Sequence, residues 1–244
     1  MYKLITAFAL LVLFTVSVFA ADRVILVGSG APDPIDAKII EHLKKLGFTV
    51  EPHAHDEKHP VNLNGVALVF ISESTSSANI TGAYKDSTVP VVNCETWTYD
   101  DMGFAPNDTG FSSDPGDTLT ILKGDHPITK GLPKKVKVYS SAISIMAANN
   151  LAGELTILAV RADDEGRVTM SVYEKGAKTA TGQTKACHVN IYAHSTAWEV
   201  ITTDGWKLIE NSILYASGRI LAVEPSGKLA TTWAGIKNQR GISQ

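Results

Sequence analysis

Three histidines lie close together in the chain, His53, His55 and His59, with Asp56 and Glu57 between them. Alternate residues of an extended segment share a side, so His53 and His55 would project together, and imidazole with carboxylate suits zinc, copper or nickel. Against a metal module stands the stretch from His53 to Asn64, which is largely polar and charged and carries no pattern of supporting residues behind the ligands. The plainer reading, a solvated loop, is favoured. A second set of residues follows predicted strands: Ser29 and Asp33, Glu73 and Ser74, and Glu95 with Trp97. Open parallel sheets bind ligands beyond the carboxyl ends of their strands, where loop amides and helix starts converge. Tryptophan beside carboxylates can hold a sugar ring, its apolar face on the indole and its hydroxyls on the acids. The plainer alternative puts Trp97 in the core and makes Glu95 a cap for the turn after it, and it is the favoured one. Gly28-Ser29-Gly30 is not a dinucleotide fingerprint, because the third glycine is missing and Pro32 and Pro34 occupy the turn. No cofactor is expected.

The elements that must position these residues begin with Val24 to Val27, an apolar run that reads as a strand buried on both faces. Asp33 is placed to cap a helix with Pro34 at its first position, and Ile35, Ile39, Leu43 and Leu46 recur on one face until Gly47. Phe48 to Pro52, Ala67 to Ser72 and Val89 to Cys94 read as further strands, with a short helix from Ile80 to Lys85 and a turn with a short helix from Glu95 to Phe104. Asn107 to Gly116 is rich in turn formers and reads as a loop. Leu119 to Leu122, Val136 to Ser140, Thr156 to Arg161 and Val168 to Tyr173 are short strands separated by turn signals, which predicts antiparallel hairpins extending the sheet. Cys187 to Tyr192 is one more strand, and Trp206, Ile209, Ile213 and Ala216 repeat at helical spacing as far as Gly218. The fold class is therefore α/β, a mainly parallel central sheet extended by antiparallel strands and covered on both sides.

Residues 1–20 carry one early charge, Lys3, then an apolar run from Leu4 to Phe19, with small residues Val18 and Ala20 at the positions a signal peptidase reads. This predicts a signal peptide, a secreted protein and no membrane span after cleavage. One domain over residues 23–219 and a tail over residues 220–244 account for the rest. A hydrophobic share of 44%, a charged share of 19% and a net charge of −3 describe an ordinary globular chain, with no footprint for nucleic acid. Cys94 and Cys187 each sit in a strand-like apolar run, which favours two buried thiols over a disulfide. The composition leaves self-association open.

Asp125-His126-Pro127-Ile128-Thr129-Lys130-Gly131-Leu132-Pro133 resembles the His-Pro-Ile-Thr-x-Gly-Leu segment of the ThuA-like proteins, within the class I glutamine amidotransferase-like superfamily. Around it, in matching order, lie Val66 to Ser77, the strand at Val89, Tyr99 to Gly103, and Gly205 to Leu208. The resemblance implies a flavodoxin-like three-layer sandwich over about residues 23 to 219. It does not imply glutaminase chemistry. The superfamily's enzymes carry a cysteine on a Gly-x-Cys-x-Gly elbow with a later histidine and glutamate, whereas Cys94 is flanked by Asn93 and Glu95, and neither His188 nor His194 starts a His-x-Glu pair. His126 stands out in the shared segment as a base or ligand, although His-Pro followed by Gly-Leu-Pro also makes a rigid turn, which is the favoured reading. These residues lead to the expectation of a secreted, non-catalytic domain with a binding or assembly role, its partner a small molecule or carbohydrate. A hydrolase of a sugar-related substrate is the alternative, and it requires Glu95 and His126 to face one cleft.

Overall fold

The computed structural model describes residues 22–30 and 35–220. The predicted signal peptide, Asp33 with Pro34, and the tail beyond residue 220 lie outside these residues. In chain order the elements are β1 (Arg23–Gly28), α1 (Ala37–Lys45), β2 (Thr49–Ala54), β3 (Val66–Ile71), α2 (Ser77–Ile80), β4 (Val91–Asn93), β5 (Phe111–Gly116) and β6 (Thr118–Ile121). They continue with β7 (Lys135–Lys137), β8 (Ile143–Ala148), β9 (Thr156–Arg161), β10 (Val168–Tyr173), β11 (His188–Asn190) and α3 (Thr203–Ala216).

All the strands join one sheet, in the order β2-β1-β3-β4-β11-β10-β9-β6-β7, with β8 against β10 and β5 against β8. From β2 to β11 the neighbours are parallel; from β11 onward every pairing is antiparallel. Two of the strands that read as continuous apolar runs, β1 and β3, lie in the parallel part, and β1 has parallel neighbours on both sides. Side chains alternate across a strand, so a run buried on both faces must feed two cores. Val24 and Leu26 pack with Ile39, Leu43, Leu208, Ile209 and Ile213 under α1 and α3. Ile25 and Val27 pack on the other face with Ile80, Tyr84, Tyr99, Met102 and Phe104. Three layers result.

The start of α1 differs from the sequence expectation. Asp36, not Asp33, stands at the N-cap position, and its side chain makes no cap hydrogen bond. Ile35, expected on the buried face, is 45% exposed, because the helix begins only after it. The helix ends as expected at Gly47, whose φ of +83° a side chain would resist. The predicted loop from Asn107 to Gly116 is also corrected: Phe111–Gly116 is a strand, in register with Ile143–Ala148. Its Ser, Asp, Pro and Gly are turn formers locally, yet a distant partner strand supplies the ladder. The predicted helix from Ile80 to Lys85 is replaced by α2, which is over by Ile80 and gives way to turns. The last helix holds to its periodicity, capped by the Thr202 hydroxyl, which accepts from the Gly205 amide at 3.1 Å. No helix among the described residues is long and apolar enough to cross a membrane.

Candidate functional site

The carboxyl ends of β1, β3, β4 and β11 form one rim, and the segments leaving them carry most of the chemistry. Ser72, Glu73 and Ser74 follow β3, Cys94, Glu95 and Trp97 follow β4, and His194 and Ser195 follow β11. Between β1 and β3, where strand order reverses direction and an open sheet offers its usual crevice, the protein fills the space itself. Asp36 is buried there, its two carboxylate oxygens each accepting a hydroxyl at 2.6 Å, one from Ser72 and one from Ser74. Ser74 Oγ in turn accepts from the Ser29 amide at 3.1 Å. A Cβ at Gly28 would lie 2.2 Å from Asp36 Oδ2, so glycine at the end of β1 is what lets Asp36 in.

Glu73 is equally committed. Its Oε2 accepts from the backbone amide of Ser195 at 2.9 Å and from the Ser195 hydroxyl at 2.6 Å, and its Oε1 lies 3.2 Å from His194 Nε2. Because His194 Nδ1 accepts from the Thr196 amide at 3.2 Å, the network places the ring proton on Nε2, where it donates to Glu73. Three donors on one carboxylate tie the end of β3 to the segment after β11.

Cys94, next along the rim, has no solvent exposure. Burial, followed by the nearby carboxylates of Asp36, Glu73 and Glu95, pushes its thiol well above the ordinary range. It is a packed thiol rather than a thiolate. Among the described residues Thr81 is the only non-glycine with positive φ, so the backbone at Cys94 has no strained elbow. Both cysteines are free, and topology separates them: Cys94 follows β4 while Cys187 precedes its parallel neighbour β11, which puts them at opposite ends of the sheet. Burial raises the half-buried Cys187 to about 12.

Glu95 caps the turn after β4, as the plainer reading expected, its Oε1 accepting from the Trp97 amide at 2.9 Å. Its own amide donates to Asn93 Oδ1 at 2.9 Å, and its carbonyl accepts from the Thr98 hydroxyl at 2.7 Å. With 5% exposure and Glu73 nearby, burial first and charge repulsion second raise Glu95 to about 8. Trp97 is not core: it is 37% exposed, one of three large hydrophobic side chains so exposed among the described residues.

The remaining candidates do not join this rim. Strand directions alternate from β11 through β10 and β9 to β6, so the chain leaves β6 at the opposite end of the sheet, and His126 follows there. His126 lines an open depression of about 320 Å³ with Lys123, Asp125, Pro127 and Thr156. Its Nδ1 accepts from the Ile128 amide at 3.3 Å, the rigid-turn arrangement. Burial pulls its pKa below the usual histidine value. Glu95 and His126 therefore share no cleft, and the requirement of the hydrolase built on them is not met.

The three early histidines do not converge either. His53 is held between Glu57 at 2.7 Å and Glu51 at 2.9 Å; His55 Nδ1 accepts from the Ser76 amide at 3.2 Å; His59 is spent on Tyr84 Oη at 2.8 Å and the Ala54 carbonyl at 2.9 Å. Among the described residues no group of three His, Cys, Asp or Glu is arranged to hold a metal ion, which corrects the metal reading of His53, His55 and His59. The sequence pattern missed the rim residues Asp36, Ser72, His194 and Ser195. Their one local signal was position just past a strand or at a helix start, and nothing in the chain tells which serine meets which carboxylate.

No protein-family model and no curated protein matches the chain. Solved structures do. A protein from Thermoplasma acidophilum assigned as one of the subunits of GMP synthase is similar over 81% of this chain and 94% of its own, at 14% identity and a TM-score of 0.53. A ThuA-like protein from Parabacteroides merdae is similar over 84% of this chain and 93% of its own, at 12% identity and a TM-score of 0.50. At such identities the likeness is one of fold: the chain has the flavodoxin-like α/β fold of these two proteins.

Proposed function

We propose that this chain is an exported, non-catalytic domain of the ThuA-like kind that binds a small carbohydrate at the rim beyond β4. The observation that carries the reading is the pairing of Trp97 and Glu95. Trp97 offers an exposed apolar face, and Glu95 is the rim carboxyl whose second oxygen is not committed to another described residue. A sugar ring asks for that combination of aromatic plane and hydrogen-bonding acid. Asp36 and Glu73 serve the protein rather than a ligand, for their oxygens are occupied. A buried, protonated Cys94 without a strained turn supports a binding role over thiol catalysis.

The test is a thermal-shift and tryptophan-fluorescence screen of the protein lacking residues 1–20 against neutral sugars, sugar acids and amino sugars. A ligand at a hundred times its Kd stabilises by about 2.7 kcal/mol, which for a domain of this size raises the midpoint by about 5–10 °C. Trp97→Ala is expected to abolish the shift. A flat response across all three classes refutes the reading.

A further inference from the structure

The rim's carboxyl groups are in unlike states, and the difference says what kind of ligand the rim accepts. Glu73 has three hydrogen-bond donors on its two oxygens, and Asp36 has two hydroxyls on its own; both are arrangements that suit a negative charge. Glu95 lacks such support. It is 5% exposed, and among the described residues one amide on Oε1 is its only hydrogen-bond donor and no lysine, arginine or histidine pairs with it. Its strongest charged neighbour is another carboxylate, Glu73. A carboxyl group enclosed beside another carboxyl group, with no cation paired to it, favours its protonated form.

We propose that Glu95 works at the rim as a carboxylic acid, a hydrogen-bond donor that selects ligands presenting an acceptor oxygen, neutral sugars and sugar acids, over amines and cations. The inference rests on the binding reading above and narrows it. Oε1 is tied to the Trp97 amide, which leaves the other oxygen to carry the proton. A protonated acid donates to a ring, hydroxyl or carboxylate oxygen of the ligand. It gives an ammonium group nothing to pair with. Ionisation converts the donor into a charge facing the same oxygens, so binding weakens as pH rises through the upper part of the neutral range.

Two measurements separate this inference from the reading beneath it. The first needs no ligand: infrared difference spectra of the native protein against Glu95→Gln, recorded across pH. The expected result is a carbonyl band of a protonated acid, present at pH 7, absent in the variant, and lost as pH rises through about 8. Lack of that band at neutral pH overturns the inference whatever the protein binds. The second is calorimetric titration with glucose, glucuronate and glucosamine as probes. Glucose or glucuronate is expected to bind at least about tenfold more tightly than glucosamine. Affinity should fall about tenfold or more above pH 8 in the native protein, whereas Glu95→Gln, which keeps a donor but cannot ionise, shows no such pH dependence. Preference for the amine, or the same pH profile in both proteins, overturns it. A band that behaves as expected while none of the probes binds upholds the acid form of Glu95 and sinks the carbohydrate reading instead.

Discussion

His188 gives the sharpest quantitative test of the structure. It lies in β11 at 1% exposure, its ring edge-to-face with Phe104 at 5.2 Å between centroids, and neither ring nitrogen has a hydrogen-bond partner among the described residues. Burial alone pulls its pKa down to about 4, from 6.5 for a free imidazole. The folded protein then holds the proton less tightly than the unfolded chain does. Its contribution to stability is complete above pH 6.5 and drains away as pH falls toward 4. A gap of about 2.5 pH units at about 1.36 kcal/mol each amounts to about 3 kcal/mol, a large share of a typical domain's total. Replacing the ring by leucine removes the titration, and it also removes two buried polar atoms that cost about 1–3 kcal/mol each when unpaired. The assay is urea unfolding of the native protein and His188→Leu at a series of pH values, read as the difference between them, in which every other titrating group cancels. Native stability is expected to fall about 3 kcal/mol further than the variant's between neutral pH and about pH 4. A difference that stays constant with pH would show that His188 is charged or partnered in the fold, and the burial argument would be wrong.

Two further outcomes follow from contacts already described. His53 should act in the opposite direction: burial disfavours its charge, but the hydrogen bonds to Glu57 and Glu51 prevail and raise its pKa. The stability it contributes is full below 6.5 and lost as pH rises through its raised value, so His53→Asn should flatten the alkaline side of the stability profile. Gly28→Ala drives a methyl against Asp36 Oδ2 and Ser74 Oγ, at 2.2 and 2.9 Å, and should cost about 2–4 kcal/mol in urea unfolding. The double variant with Asp36→Ala makes room for that methyl and should lose less than the sum of the two single losses; strict additivity would mean the crevice is not filled as described.

Much of this fold was written into local sequence. Val24 to Val27 and Ala67 to Ser72 announce two-faced strands because nearly every residue is apolar, and the structure sends alternate members to the two cores. Ile209, Ile213 and Ala216 announce a helix because their spacing matches its turn. Phe111–Gly116 could not be read that way: its residues prefer turns, and only the ladder with Ile143–Ala148, far along the chain, makes it a strand. Glu95 divides along the same line. Its place after a strand marked it as a cap and as a rim residue, and it is both.

That the chain folds as layered α/β was settled by composition and periodicity, which are local and additive along the chain. Which carboxyl is satisfied, which keeps a proton, that Trp97 is open, and that His126 lies at the far end from Glu95 were decided by tertiary structure alone. Protonation and hydrogen-bond pairing depend on burial and on neighbours brought together from distant parts of the chain. No spacing within the sequence encodes those distances.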